Sequence, residues 1–336
     1  MPQSVIQLDR RSVGREVPPP PRHRLAEPAT RQLAETAGSL CLDDAHLDDQ
    51  GWLQQVRLAG ATLPAVIRDP LVCFGYDSGP AGAMVLGGVP TDRATPATPT
   101  VAGSVRRVPS LASAALMLLA QQLGHPVAYR QEKSGALVQD VVPVPELRTD
   151  QSNAGAVELL MHTENAFHPY RPDYVLLLCV RADPAGEAGL RLSSVRRALP
   201  LLDDRTIATL RQPRFRTSPP RSFGELMEAQ VGPVLHGAVE DPDLCVDFAV
   251  TKAVDAEATE ALARLGRAMG EVTHEIKLQV GDLAVVDNRI SVHGRTAYQP
   301  RFDGTDRWLH RVYVQVDLRR SRQLRPANGH VLDSLR

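Results

Sequence analysis

The sequence predicts an α+β fold whose core is a double-stranded β-helix, a jelly roll, flanked by helices. Short apolar runs typical of strands recur along the chain, and amphipathic helical segments interrupt them. No internal repeat is present, so a single domain built in this way is the simplest architecture. Because 43% of the 336 residues are hydrophobic, the chain can bury a substantial core.

The N-terminal residues differ in composition from the rest of the chain. Residues 1–26 are rich in Pro and Arg and lack the apolar region of a secretory signal. We therefore expect a flexible extension at 1–26, followed by a single domain with the β-helix core at 27–336. No apolar stretch approaches the roughly 20 residues that would span a bilayer, and we expect no membrane association.

Four segments have the apolar spacing of a helix, at 28–47, 110–124, 193–212 and 256–272. In the second segment, Ser110 is the expected N-cap and Gly124 is the expected stop. Residues 79–100 are rich in Gly, Pro and Thr, and we expect them to form a loop.

Strand-like runs supply the rest of the core. They are HPVAYRQ, ALVQDVVPV, VELLMH, DYVLLLCV, DLAVVD and RWLHRVYVQVD. A Lys-Ser-Gly sequence separates the first two runs, and this turn predicts a β-hairpin.

Charge and cysteine content indicate the class of partner. The net charge of -1 provides no field that would attract nucleic acid or a membrane surface, so a small molecule is the expected partner. Cys41, Cys73, Cys179 and Cys245 lie far apart without a CxxC pair, which argues against a zinc knuckle and a disulfide framework. This usage fits a reducing cytoplasm, in which Cys179, inside an apolar run, is a buried free thiol.

A candidate metal site begins at His162 and Glu164, which directly follow the run VELLM. Residues two apart on a strand share one face, so both side chains can reach one ion while Thr163 points away. The three-residue pattern alone also occurs among surface residues. A third ligand is therefore required from another part of the chain.

His293, in DNRISVHGR, is the candidate for that third ligand, at the point where the chain is expected to leave the strand DLAVVD. Two imidazoles and one carboxylate on one face of an ion leave positions open for a bidentate oxoacid and dioxygen. Iron(II) suits these ligands. A zinc protease would need a helical HExxH run, and the sequence has none.

Two arginines lie downstream on one predicted strand. Arg307 follows His293 by fourteen residues and can form a bidentate pair with the far carboxylate of a chelated oxoacid. Arg307, Leu309 and Arg311 share a strand face, so both guanidinium groups can point into the mouth of the β-helix.

The segments HTENAFHPYRPDYVLLLCVR and VDNRISVHGRTAYQPRFDGTDRWLHRVYV resemble the clavaminate-synthase-like group of iron and 2-oxoglutarate oxygenases, which includes asparagine and arginine 3-hydroxylases. The resemblance runs from about residue 126 to residue 317. It implies a cupin-like jelly roll, iron(II) bound by His162, Glu164 and His293, and 2-oxoglutarate and dioxygen as cosubstrates. It also implies Arg307 as the residue that holds 2-oxoglutarate.

The resemblance further implies hydroxylation of a free L-amino acid at Cβ. It assigns Arg311 to the α-carboxylate of the substrate, Gln131 to the amino-acid head group, and Glu164 to the substrate ammonium as well as to the iron. It assigns Asp247 to a guanidinium side chain, but Ala249 stands where a second acid is expected, and this departure puts arginine itself in doubt. Gln131 could equally be a polar residue bonded to backbone, and Asp247 a strand-end residue.

Several substrates therefore remain open. An arginine-like or cyclic guanidino amino acid, such as arginine, enduracididine or capreomycidine, is favoured, in the biosynthesis of an antibiotic. Lysine, asparagine and an amino acid bound to a carrier protein are the alternatives. A β-helix protein that binds a small ligand without catalysis is a more remote one.

Three other features are not expected to bind metal. Residues 150–155, DQSNAG, have the composition of a mobile lid, although an ordinary loop has the same composition. His168 precedes a proline, which favours a loop position beside the site. His310 alternates away from Arg307 and Arg311, so we expect it to face outward or to pack under a helix.

Overall fold

The computed structural model describes residues 17–220, 223 and 230–335. Its α-helices are α1 (Glu27–Gly38), α2 (Gln50–Ala61), α3 (Ala65–Tyr76), α4 (Leu111–Ala120), α5 (Val195–Ala198), α6 (Asp204–Leu210) and α7 (Ala256–Glu271). Its strands are β1 (Arg22–Arg24), β2 (Ala83–Gly87), β3 (Val105–Arg106), β4 (His125–Tyr129), β5 (Val138–Val141), β6 (Leu159–His162), β7 (Tyr174–Arg181), β8 (Leu190–Ser194), β9 (Phe215–Thr217), β10 (Val231–Gly232), β11 (Leu235–Gly237), β12 (Pro242–Leu244), β13 (Thr251–Ala253), β14 (His274–Ile276), β15 (Leu283–Asp287), β16 (Ser291–Arg295), β17 (Trp308–Gln315) and β18 (Val331–Leu332).

Two sheets form the core. The larger has the order β1-β2-β15-β7-β17-β4-β18, with β5 also paired to β17 and β3 paired to β5. The smaller has the order β14-β8-β16-β6. Leu177 and Leu309 of the larger sheet and Leu190 and Leu192 of the smaller sheet belong to one buried apolar cluster. The two sheets therefore face each other across this cluster, and the predicted α+β fold with a jelly-roll core is confirmed.

Strand β17 shows how alternation directs side chains to the two faces of the larger sheet. Trp308, Val312 and Val314 pack on its outer face in a cluster with helices α1 to α4. Leu309 and Tyr313 point inward, to the cluster between the sheets. Because side chains along a strand alternate, one eight-residue strand contributes to two apolar layers and still supplies inward positions for a site.

Helix α4 lies against the outer face of the larger sheet and is buried from its second residue, Ala112, to its end. The predicted N-cap is confirmed, because Ser110 Oγ accepts a hydrogen bond from the Ser113 amide and Ser113 Oγ accepts one from the Ser110 amide. Helices α1 and α2 cover α4 from outside. Helix α7, with Leu262 and Leu265 buried, covers the smaller sheet in the same way.

Several predicted elements differ from the structure. The predicted hairpin is wrong: β4 and β5 each pair with β17, at positions 313–315 and 309–311. Positive φ angles at Ser134 and Gly135 turn the chain between them. The predicted loop at 79–100 contains the buried strand β2.

Two predicted helices are shorter or interrupted. The helix expected at 28–47 ends at Gly38. The segment expected at 193–212 begins inside β8 and is divided into α5 and α6, since Pro200 lies in a 3-10 turn and Asp203 caps a new helix. The helix expected at 256–272 is confirmed as α7.

The predicted N-terminal extension lies only partly within the described residues. Residues 1–16 are outside them, while Arg22–Arg24 form strand β1, parallel to β2. Arg22 forms an ion pair with Asp282 at 3.0 Å. Within the described residues, no single helix is long and apolar enough to cross a membrane; α2 and α3 together meet that criterion of length and composition but are bent by 104°.

Candidate active site

A cavity of about 520 Å³ opens between the two sheets. Strands β6, β16 and β17 contribute polar side chains to its wall, and the loop at 151–154 lies along its rim. All three predicted metal ligands, both predicted arginines, Gln131 and Asp247 line this one cavity. The structure therefore brings together every residue that the sequence analysis assigned to the site.

The predicted metal ligands converge on one point. His162 ends β6 and lies directly opposite His293 of β16, with their ring centroids 4.5 Å apart. Glu164 follows two residues later, and its Oε2 lies 3.4 Å from His293 Nε2. One ligand atom from each of the three side chains lies within 4.8 Å of the others. His293 lies within a strand of the smaller sheet, and not where the chain leaves the sheet as expected.

The backbone fixes the orientation of two of these ligands. His162 Nδ1 donates to the Leu160 carbonyl oxygen at 2.9 Å, which places the proton of a neutral imidazole on Nδ1 and leaves Nε2 as the atom that can bind a metal. The Glu164 amide donates to Asn288 Oδ1 at 2.7 Å, and Asn288 Nδ2 donates back to the Glu164 carbonyl at 3.1 Å. Asn288 is fully buried, and the sequence analysis did not assign it a role.

The charges around the site favour the protonation states that bind metal. Burial opposes ionisation of Glu164, but Arg311 and the two imidazoles outweigh it and hold the pKa of its carboxyl well below the usual range. Burial and the neighbouring His162 lower the pKa of His293. At neutral pH the site therefore presents a carboxylate and a neutral imidazole, which are the forms that coordinate a divalent ion.

Arg311 lies at the centre of a buried polar network on the inner face of β17. Its Nη1 lies 3.3 Å from Glu164 Oε2, and its Nη2 binds Glu132 Oε1 and donates to Gln139 Oε1 at 2.5 Å. The Tyr313 hydroxyl donates to the same Glu132 oxygen at 3.0 Å. This network fixes the guanidinium group beside the predicted metal ligands.

Glu132 and Gln139 are site residues that the sequence analysis did not identify. The predicted head-group residue, Gln131, instead donates its side-chain amide to Ser334 Oγ at 2.5 Å at the rim of the cavity. Glu132 Oε2 is buried and has no partner among the described residues. The pairing of β5 with β17 places Gln139 opposite Arg311, and the local sequence pattern does not contain this pairing.

Asp247 lies beside His162, with which it forms an isolated β-bridge. Its Oδ1 accepts a hydrogen bond from the Ala249 amide at 2.8 Å, and burial raises the pKa of its carboxyl. Asp247, Ala249 and Asn153 line the same cavity. This part of the cavity wall therefore has one carboxylate, that of Asp247, and one of its two oxygens already accepts a hydrogen bond from the backbone.

The other predicted residues lie around the site. His168 is buried in an aromatic cluster, 4.9 Å from the Tyr129 ring, and is not part of the cavity wall. His310 lies on the outer face of β17, fully buried, with Nδ1 3.1 Å from Asp140 Oδ1, in agreement with the expectation that it packs away from the site. Cys179 is a buried free thiol as expected, and burial raises its pKa to about 12.

Residues 105–313 match the family model described as taurine catabolism dioxygenase TauD, TfdA family. The chain belongs to the TauD/TfdA dioxygenase family. It is 53% identical to an L-asparagine oxygenase of Streptomyces coelicolor over 85% of this chain and 86% of that protein. It is 35% identical to clavaminate synthase 2 of Streptomyces clavuligerus over 80% of this chain and 85% of that protein.

Solved structures show the same relationship for this TauD/TfdA dioxygenase. An asparagine oxygenase in complex with Fe(II), 2S,3S-3-hydroxyasparagine and succinate is 49% identical, covers 94% of this chain and 99% of that chain, and gives a TM-score of 0.91. The non-heme iron oxygenase OrfP with Fe and alpha-ketoglutaric acid is 32% identical, covers 93% of this chain and all of that one, and gives a TM-score of 0.85.

These relationships confirm several predictions from the sequence. The chain is an enzyme, a 2-oxoglutarate-dependent dioxygenase that hydroxylates an amino acid. The predicted relationship to the clavaminate-synthase-like group is confirmed. The predicted use of iron(II) and 2-oxoglutarate is confirmed by relatives whose structures contain them. The His-Glu-His set supplies suitable donors, since two imidazoles and a carboxylate are the ligands of non-haem iron(II) oxygenases.

Proposed function

We propose that this enzyme hydroxylates free L-asparagine at Cβ. The observation that carries the proposal is a single cavity in which the His-Glu-His set, the buried Arg311 network and one backbone-bonded carboxylate lie side by side. The 53% identity with an L-asparagine oxygenase supports this choice among the amino acids considered. The antibiotic pathway expected from the sequence stays part of the proposal.

In this proposal, His162, Glu164 and His293 hold iron(II), and Arg307 holds the far carboxylate of 2-oxoglutarate. The bound iron, 2-oxoglutarate and dioxygen supply the oxidising chemistry. The residues of the chain bind and orient the reactants: β16 and β6 fix the imidazoles, and Asn288 fixes the backbone of Glu164.

The head group of an amino acid fits the charges around Arg311. Its guanidinium can bind the α-carboxylate of the substrate, and the neighbouring carboxylates Glu132 and Glu164 can accept hydrogen bonds from the α-ammonium. Glu132 Oε2, for which the described part of the chain supplies no partner, is one such acceptor. A free amino acid brings both charges to this network, whereas a carrier-bound one would lack the free carboxylate. This difference favours the free substrate.

The side chain of asparagine fits the wall around Asp247. Because Asp247 Oδ1 already accepts the Ala249 amide, the carboxylate has one oxygen left for an N–H group of the substrate carboxamide. A guanidinium group presents a full positive charge and five N–H donors, for which a second acid in place of Ala249 would be expected. These contacts favour asparagine over the arginine-like substrates that the sequence first favoured.

The test uses anaerobic protein loaded with Fe(II). Addition of 2-oxoglutarate is expected to produce a metal-to-ligand charge-transfer band, and succinate release on admitting air is expected to be fastest with L-asparagine. L-aspartate, L-arginine, L-lysine, L-enduracididine and carrier-bound asparagine serve as comparisons, and NMR locates the new hydroxyl group. Absence of the charge-transfer band would contradict the proposed iron site. A band together with faster turnover of L-arginine than of L-asparagine would overturn the choice of asparagine as the substrate.

A further inference from the structure

A second arginine lies beside Arg307 in the cavity. Arg295 ends β16, two residues after His293, and both side chains line the cavity because they share one face of the strand. Arg295 is 3% exposed and Arg307 is 7% exposed. Two guanidinium groups are therefore removed from water in one wall of the site.

Neither group is neutralised by the part of the chain that the structure describes. Arg307 is the charged neighbour of Arg295, and no carboxylate of the described residues is among the groups that act on Arg295. Two buried positive charges side by side repel each other and destabilise the unliganded site. Binding of an anion between them would relieve this repulsion.

The geometry holds Arg295 ready for such an anion. Its Nη2 donates to the Val157 carbonyl at 2.8 Å, and its guanidinium lies 5.0 Å from the centroid of the Tyr298 ring. Its Nε and the Nη1 of Arg307 are buried without hydrogen-bond partners among the described residues. Buried N–H donors of this kind require an acceptor, and a carboxylate can accept from both.

We propose that Arg295 and Arg307 together bind the far carboxylate of 2-oxoglutarate, and that Arg295 sets the preference for 2-oxoacids with a second carboxylate. This inference rests on the proposed function, in which Arg307 alone had that role. Succinate retains this carboxylate after the reaction, so the same pair of arginines also holds the product. Weakening the pair therefore weakens binding of both dicarboxylates.

The test compares Arg295→Met with the wild type and with Arg301→Gln, which alters an exposed arginine. Anaerobic Fe(II)-loaded protein is titrated with 2-oxoglutarate and with 2-oxobutyrate, which lacks the second carboxylate, by following the charge-transfer band. Arg295→Met is expected to raise the Kd for 2-oxoglutarate about tenfold or more, since a charge-assisted bond is lost, and to change the Kd for 2-oxobutyrate little. Arg301→Gln is expected to leave both values unchanged.

Thermal unfolding separates this role from a structural one. Without 2-oxoglutarate, Arg295→Met is expected to unfold at the same temperature as the wild type or a higher one, because an uncompensated buried charge is removed. Addition of 2-oxoglutarate is then expected to raise its midpoint less than that of the wild type. Arg295→Lys, which keeps the charge but loses the planar donors, is expected to bind 2-oxoglutarate with intermediate affinity.

The outcomes that overturn the inference are distinct from those that overturn the proposed function. In one such outcome the wild type shows the charge-transfer band, but Arg295→Met has the same ratio of the Kd for 2-oxobutyrate to the Kd for 2-oxoglutarate as the wild type. This result would overturn the role of Arg295 and leave the proposed iron site intact. A lower unfolding temperature of that variant, with full 2-oxoglutarate binding, would do the same. A wild-type protein without any charge-transfer band would overturn the proposed iron site and this inference with it.

Discussion

Asn288 holds the backbone of Glu164 from both sides. Its Oδ1 accepts from the Glu164 amide at 2.7 Å, and its Nδ2 donates to the Glu164 carbonyl at 3.1 Å and to the Pro172 carbonyl at 2.9 Å. The asparagine follows β15, a strand of the larger sheet, while Glu164 follows β6 of the smaller sheet. One buried carboxamide thus joins the ends of the two sheets at the candidate metal site.

Replacing Asn288 is therefore expected to loosen the metal site. Asn288→Ala leaves three buried backbone groups unpaired, and we expect the free energy of unfolding to fall by about 2–4 kcal/mol. Because Glu164 loses its fixed position, the Fe(II) affinity is expected to fall about 10- to 100-fold. Denaturant unfolding and an anaerobic iron titration measure the two effects. Wild-type iron affinity in Asn288→Ala would contradict the role given to Asn288.

The second prediction concerns the imidazole ligands. His162→Ala removes one of three proposed donors, and we expect the charge-transfer band with 2-oxoglutarate to disappear together with succinate formation. His274→Ala is the matched control, because His274 lies on β14 and is not part of the cavity wall. That control is expected to retain the band. A band of full intensity in His162→Ala would show that the iron is bound elsewhere.

Adjacent residues at the cavity rim allow a third test. Glu132 binds Arg311 and Gln131 binds Ser334, so Glu132→Gln is expected to raise the KM for the amino acid about tenfold while Gln131→Ala changes it less than about twofold. Binding of 2-oxoglutarate is expected to stay unchanged in both, because Arg307 is intact. Steady-state kinetics and a 2-oxoglutarate titration measure these effects. A larger increase of KM in Gln131→Ala than in Glu132→Gln would instead show that Gln131 binds the head group of the amino acid.

Local periodicity explains the part of the site that the sequence predicted. A strand repeats every two residues, so the inward face of Arg307, Leu309 and Arg311 follows from their spacing. The same rule placed His162 and Glu164 on one side. Position after a strand-like run made His293 only a candidate for the third ligand, because pairing between distant strands is not contained in the local pattern.

The predictions that were wrong depend on long-range pairing. A Lys-Ser-Gly turn between two strand-like runs is typical of a hairpin, yet β4 and β5 each pair with a different end of β17. Glu132 was overlooked because a charged residue beside a turn usually faces solvent. Its ion pair with Arg311 joins positions far apart in sequence, and only the fold brings them into contact.

His168 provides a prediction for the pH dependence of stability. Burial among Tyr129, Phe167 and Phe223 lowers the pKa of His168 to about 4, whereas a histidine in an unfolded chain has a pKa of about 6.5. Between these values the unfolded chain binds a proton that the folded protein does not, so the folded state loses stability as the pH falls. At pH 5 this single group is expected to lower the free energy of unfolding by about 2 kcal/mol relative to pH 7.5.

Urea unfolding at pH 7.5 and pH 5 tests this contribution. The wild type and His168→Gln both lose stability through other titrating groups, but the loss is expected to be about 2 kcal/mol smaller in the variant. His46→Gln alters an exposed histidine and is expected to reproduce the wild-type loss. An equal loss in wild type and His168→Gln would mean that His168 is protonated in the folded protein at pH 5, which its buried position among aromatic rings argues against.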